Sequence, residues 1–284
     1  MYELLEALDA TAEQSQAALS DPATAVSEKL HQVAFRTGLG NPLFASVEAL
    51  EGLNRADLKE RVSQLFTADR ISVVAAGVEH GELKKIVEDS IKKVKIAPSS
   101  SVVAPKSVYY GGEARIEGGP QSTAIYAVAY PGASYTSSEY PASLVLKALL
   151  GGSQRVKWAS PSARAGLLGD AATESTSSVA FSHSYSDSGL VGFVVEGETA
   201  SVKDVVKMSI ATLKGLSSKV SSEALEAAKK TAIIDAEASL NRHGLLDALS
   251  RESTGGVAAL SDVSAISAVT AADIQKVFSF ILCL

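Results

Sequence analysis

The sequence predicts an α+β fold made of two homologous modules. The first module is represented only by its C-terminal half. Three observations carry this expectation: amphipathic helical stripes toward both ends of the chain, a block of β-patterned sequence within residues 109–197, and an internal repeat.

Residues 2–19 are rich in Ala, Leu, Glu and Gln and read as a helix, with no capping residue ahead of Tyr2. Asp21-Pro22 starts a second helix, with Asp as N-cap and Pro at the first helical position. Val26, Leu30, Val33 and Ala34 then form one apolar stripe, and Gly38-Leu39-Gly40-Asn41-Pro42 ends it. Asn54, with Asp57 three residues on, caps a helix lined by Leu58, Val62, Leu65 and Phe66. Ile71 to Ala76 is a short β-branched and small-residue run and predicts a buried strand closed by Gly77. Glu79 to Val94 is amphipathic through Leu83, Ile86, Val87, Ile91 and Val94.

Residues 97–105 hold two prolines and three serines with no periodic pattern, and 97–107 reads as a linker. The expected organisation is therefore residues 1–96 as the back part of a first module and 108–284 as a second module lacking its last strand. Beyond the linker, Gly111 to Glu117 and Thr123 to Tyr130 read as strands, and 138–150 as a helix broken at Gly151-Gly152, a C-cap. Gln154 to Gly169 is irregular.

The centre of this half is a hairpin. Val179, Phe181, His183 and Tyr185 alternate with Ser178, Ala180, Ser182 and Ser184, as in a half-buried strand whose serines face solvent. Ser186-Asp187-Ser188-Gly189 is turn chemistry, and Leu190 to Val195 is the returning strand. Helices follow from Ser201 (capped with Asp204), over Ser222–Ser239 and Arg242–Arg251, and from Thr270.

A shift of 216 residues lays Asn54 on Thr270, Asp57 on Asp273, Leu50 on Ile266, Leu53 on Val269 and Leu58 on Ile274. Without a gap it also pairs Leu30 with Leu246 and Gly40 with Gly256. The first copy has no counterpart of the sheet-forming residues 109–197, and the second stops where a last strand would begin. The repeat thus predicts a chain cut at both ends.

The net charge of −6 and the absence of Lys/Arg runs argue against nucleic acid and anionic membrane surfaces as partners. No apolar run approaches the roughly 18 residues that span a bilayer. The acidic N-terminus is unlike a secretory or transit signal. Cys283, the single cysteine, excludes an internal disulfide framework and a Cys-rich zinc site; in the apolar tail it is discounted as a nucleophile.

The four histidines are His31, His80, His183 and His243. None stands in His-Glu-x-x-His or its inverse, so no local zinc motif is present, and all four read as surface or packing residues. Nucleophile-elbow, P-loop and dinucleotide motifs are also absent. His183, Asp187 and the neighbouring serines could suggest a triad, but they read better as a strand face and turn. No catalytic, cofactor-binding or metal-ligating residue is assigned, and no cofactor.

Tyr-Ser-Asp-Ser-Gly-Leu-Val-Gly-Phe at 185–193, after Phe181, resembles the pitrilysin-like family that includes the mitochondrial processing peptidases. Supporting residues are Glu28-Lys29-Leu30-His31 with Ala34-Phe35-Arg36, Asn41-Pro42-Leu43-Phe44, and Tyr110-Gly111-Gly112-Glu113 with Arg115. The resemblance spans essentially the whole chain and implies two homologous pitrilysin-like α+β modules, each an antiparallel sheet flanked by helices. Within the family it points to the non-catalytic core subunits of mitochondrial ubiquinol–cytochrome c reductase. It implies a matrix-facing scaffold, peripheral to the inner membrane, paired with core protein 1 and contacting cytochrome b. The alternative it leaves is a subunit, substrate-binding or truncated catalytic, of a zinc processing peptidase. The inverted zinc motif of active members belongs to a region that this sequence lacks.

Overall fold

A computed structural model describes residues 2–93, 96, 99, 105–117, 123–152, 166–216, 220–240, 242–255 and 263–282. Most of the expected linker, most of 154–169 and Cys283 lie outside these residues. In chain order the elements are α1 (Tyr2–Leu19), α2 (Pro22–Phe35), a 3-10 turn (Gly38–Gly40), α3 (Val47–Glu51), α4 (Arg55–Leu65), α5 (His80–Ile91), β1 (Thr123–Pro131), α6 (Tyr140–Leu150), β2 (Thr176–Ser184), β3 (Gly189–Glu198), α7 (Thr199–Leu216), α8 (Ser222–Ser239), α9 (Arg242–Gly255), α10 (Val263–Ala268) and α11 (Ala271–Leu282). None of the described helices is long and apolar enough to cross a membrane.

The chain forms two compact units. One comprises residues 1–21, 42–106 and 240–259, hence α1, α3, α4, α5 and α9. The other comprises 22–41, 107–239 and 260–284, and takes α2 together with the whole sheet.

In the second unit the sheet is antiparallel with order β1-β3-β2. The central β3 is buried on both faces, which is why Leu190 to Val195 is a continuous apolar run rather than an alternation. Val191, Phe193 and Val195 point into the main core with Val145, Leu146, Leu149 and Leu150 of α6 and Val202, Val205 and Leu213 of α7. α8, α10 and α11 complete that core through Ala228, Ile266 and Ile274. On the opposite face Leu190 joins Ala34 and Phe35 of α2 in a second, smaller cluster.

Gly192 marks how closely the strands and side chains pack. A Cβ there would meet the Val128 carbonyl oxygen of the neighbouring strand and lie 2.9 Å from Phe181 Cζ. Gly151, at φ 61°, ends α6 as expected, with its N–H bonded to the Lys147 carbonyl.

Four expectations need correction. Residues 71–76 form no strand, with Ile71 and Val73 exposed, because a strand needs a ladder partner and none is present among the described residues. Residues 111–117 form no strand either; Gly111 (φ 71°) and Gly112 (φ 140°) put the backbone outside the strand region. The serine face of β2 is not solvated. Thr176, Ser178 and Ala180 are the buried side, and Ser178 Oγ lies 2.9 Å from Ser209 Oγ of α7, the two hydroxyls satisfying each other where small residues let the helix approach. Finally, α7 begins at Thr199, ahead of the expected Ser201 cap, because β3 runs directly into it.

The helix order repeats. Shifted by 216 residues, α3 and α4 begin on the first residues of α10 and α11. Both copies carry the same reciprocal cap. Asp57 N–H donates to Asn54 Oδ1 (3.2 Å) and Asn54 N–H to Asp57 Oδ2 (3.0 Å); Asp273 N–H donates to Thr270 Oγ1 (3.3 Å) and Thr270 N–H to Asp273 Oδ2 (2.8 Å). The earlier pair needs a shift of 220, which lays Tyr2–Leu19 on Ser222–Ser239 and Pro22–Phe35 on Arg242–Gly255. The ungapped pairing of Leu30 with Leu246 is therefore four residues out of register.

Candidate functional site

Residues from three of the stretches that carry the family resemblance, around 31–36, 109–110 and 181–190, meet where the C-terminal half of α2 reaches the β2–β3 hairpin. α2 presents Ala34 and Phe35, both buried, and half-buried His31 one turn earlier. The Phe35 ring meets Tyr109 and Tyr185 edge-on, at centroid distances of 6.3 and 6.5 Å.

His31 is held by two bonds. Its Nδ1 lies 2.8 Å from the Ser27 carbonyl and its Nε2 2.5 Å from the Tyr185 hydroxyl. A carbonyl only accepts, so Nδ1 carries the proton, and in the neutral ring Nε2 accepts from the Tyr185 O–H. Burial, reinforced by Glu28, pushes the Tyr185 phenol above its usual range and keeps it a donor. His183 stacks on Phe181 (5.1 Å, 25°), and its ring centroid is 5.8 Å from that of His31. Burial first, then His31 and Lys147, lower the His183 pKa and favour the neutral ring.

The end of α2 is tied to the chain after the linker. The Ala34 carbonyl accepts from Tyr110 N–H at 2.7 Å, satisfying an acceptor that the helix end leaves open. Arg36 takes the left-handed conformation (φ 62°), and its guanidinium lies 4.9 Å from the centre of the Tyr110 ring. Tyr109 O–H donates to the Ala129 carbonyl (3.1 Å), and Ser107 N–H donates to Asp187 Oδ2 (2.6 Å). The turn closes through Tyr185 N–H to the Ser188 carbonyl (2.8 Å) and is held from outside by Tyr135 N–H to the Tyr185 carbonyl (3.0 Å).

The site is therefore a clamp. Its histidines, tyrosines and Asp187 hold one helix, one hairpin and one connecting segment together. Asp187 binds a backbone N–H and His183 stacks on a phenyl ring, so the suspected triad residues are taken up separately. His80 begins α5 and is exposed. Among the described residues no three metal-ligating side chains come together. A cavity of about 110 Å³ between α2 and the sheet is walled by Val26, Leu30, Ile125, Ala127, Phe181 and His183. Sequence reading missed the clamp because its halves are far apart; the one available signal was the aromatic pair, Phe35 ending an apolar stripe and Tyr185 opening a hairpin turn.

Residues 52–232, more than half of the chain, match the family of peptidase M16 inactive domains. The chain belongs to the peptidase M16 family. This M16 chain is 32% identical over 219 residues to the mitochondrial cytochrome b-c1 complex subunit 2 of Neurospora crassa, covering 76% of the chain and 46% of that relative. It is 33% identical over 176 residues to the mitochondrial-processing peptidase subunit beta of Blastocladiella emersonii, covering 60% of the chain and 37% of that protein. In fold it matches a chain of complex III2 from Candida albicans with Inz-5 bound, at a TM-score of 0.80 and 20% identity, over 96% of this chain and 67% of that one. The α+β fold with an antiparallel sheet is thus that of the M16 family, and the cytochrome b-c1 subunits 2 that it resembles are mitochondrial proteins. The chain spans about half the length of the curated relatives it matches.

Proposed function

We propose that this chain is a non-catalytic core subunit of mitochondrial ubiquinol–cytochrome c reductase, acting through surface contacts. The observation that carries the reading is the clamp, where His31, Tyr185 and Asp187 are taken up in fastening a helix to a sheet. The resemblance to cytochrome b-c1 subunits 2 in several organisms supports the same reading. The proposed place is the matrix side of the inner membrane, beside core protein 1 and cytochrome b, without a cofactor of its own. The proposed organisation remains two homologous modules, residues 1–96 and 108–284, joined by 97–107; the repeated helix order supports it.

Mitochondria solubilised in mild detergent provide the test. Co-migration of the chain with cytochromes b and c1 is the expected result. A second reading, a processing-peptidase subunit, draws on the Blastocladiella emersonii match. Recovery of the chain in a soluble zinc-dependent peptidase heterodimer would decide for it and against the scaffold.

A further inference from the structure

The bond between Tyr185 and His31 joins an oxidisable phenol to a base. His31 Nε2 carries the lone pair that accepts the Tyr185 O–H at 2.5 Å, and Nδ1–H, across the ring, is bonded to the Ser27 carbonyl at 2.8 Å. Taking an electron from a phenol makes its hydroxyl strongly acidic. The loss is therefore easiest where a base already holds the proton by a hydrogen bond. Once His31 has taken that proton, both ring nitrogens donate: Nε2–H to the phenoxyl oxygen and Nδ1–H to the Ser27 carbonyl. Both bonds survive the transfer, and the clamp stays closed.

The surroundings favour this outcome. Glu28, three residues before His31 on α2, acts on Tyr185 through its charge, and a carboxylate nearby stabilises an imidazolium. Burial, reinforced by Glu28, holds the phenol above its usual range, so the proton leaves only together with the electron.

Other tyrosines are placed differently. Tyr109 O–H donates to the Ala129 carbonyl, which is no base at neutral pH. Tyr110 and Tyr126 are 54% and 48% exposed, and neither hydroxyl meets a base among the described residues. The Arg36 guanidinium, 4.9 Å from the centre of the Tyr110 ring, further opposes loss of an electron there. Phe35, between Tyr185 and Tyr109, is too hard to oxidise to pass the electron hole onward.

We propose that Tyr185 and His31 form a redox-active pair that reacts with small one-electron-oxidising radicals and makes Tyr185 a site of nitration. In the first step the radical takes one electron from the Tyr185 ring, and the hydroxyl proton passes to His31 Nε2. With nitrogen dioxide as the oxidant, the products are nitrite, a neutral phenoxyl radical and an imidazolium. A second nitrogen dioxide then forms a C–N bond at the ring carbon beside the oxygen. The hydrogen on that carbon moves to the oxygen, His31 releases its proton to solvent, and 3-nitrotyrosine remains. The inference rests on the clamp alone and holds for either reading of the chain's function.

The test treats the full chain with less than one equivalent of nitrogen dioxide and maps nitrotyrosine by mass spectrometry of its peptides. Tyr185 should be nitrated more than threefold above either Tyr110 or Tyr126, although both are exposed and Tyr185 is only half-buried. His31→Gln still offers an oxygen to the Tyr185 O–H but cannot hold the proton. It should lower nitration at Tyr185 more than threefold and leave amide exchange along α2 unchanged. Nitration that follows exposure, with Tyr110 and Tyr126 ahead of Tyr185, overturns the inference. So does nitration of Tyr185 that stays level or rises in His31→Gln. The ranking in the unmodified chain needs no variant and is decisive by itself.

Discussion

Phe35→Ala is the sharpest test of whether aromatic packing holds α2 on the sheet. Phe35 is fully buried and is the largest side chain of a small cluster whose other fully enclosed members are Ala34 and Leu190. Truncating a buried phenylalanine costs about 3–5 kcal/mol, the transfer of the ring plus the cavity left behind. The cluster is too small to refill the hole, because the flanking Tyr109 and Tyr185 rings are tethered through their hydroxyls to the Ala129 carbonyl and to His31. Since α2 reaches the sheet mainly through this cluster, the loss should appear first as local detachment of the helix. At about 1.4 kcal/mol per tenfold, amide exchange of residues 26–35 should accelerate roughly a hundredfold or more. Hydrogen–deuterium exchange read by mass spectrometry measures this, with Leu43→Ala as control; Leu43 is 84% exposed and its loss should change nothing measurable. An acceleration below about fivefold, equivalent to about 1 kcal/mol, would refute the idea that the clamp holds α2.

Tyr185→Phe removes the donor to His31 Nε2 and should cost about 1 kcal/mol, with a coupling of similar size to His31→Ala in a urea-denaturation double-mutant cycle. Gly192→Ala places a methyl against the Val128 carbonyl and the Phe181 ring and should cost about 2–3 kcal/mol, read from the same titration. His183 has a folded-state pKa below its ordinary value of 6.5, mainly through burial. Its contribution is complete above pH 6.5 and is lost as the pH falls through the folded-state value, since the unfolded chain takes up the proton first. The urea midpoint should therefore drop on acidification below pH 6.5, and less steeply in His183→Gln. Unchanged slopes would show that the imidazole is not the group responsible.

Local chemistry was legible where a few neighbouring residues settle it. The Asn54–Asp57 cap, Pro22 at a helix start, Gly151 at a helix end and the turn at 186–189 all follow from interactions within a few residues of sequence. The strand expected at 71–76 failed for the opposite reason: its β-branched pattern states a preference, and only a partner strand can realise it. The serines of β2 misled because a small hydroxyl is equally at home in water and against another buried hydroxyl, and Ser209 lies 31 residues away. The clamp depended on still longer reach, with His31 and Tyr185 separated by 154 residues.

The sequence by itself determined the helices, their caps, the hairpin, the α+β class and the existence of a repeated helix order, because periodicity and capping act over one or two turns of chain. Tertiary structure alone decided that α2 leaves its own copy to pack on a sheet beyond the linker, that β3 is enclosed from both sides, and that Phe35, Tyr109, Phe181 and Leu190 share one cluster. Those outcomes depend on which buried surfaces find one another, and burial is a property of the whole assembled chain rather than of any stretch of it.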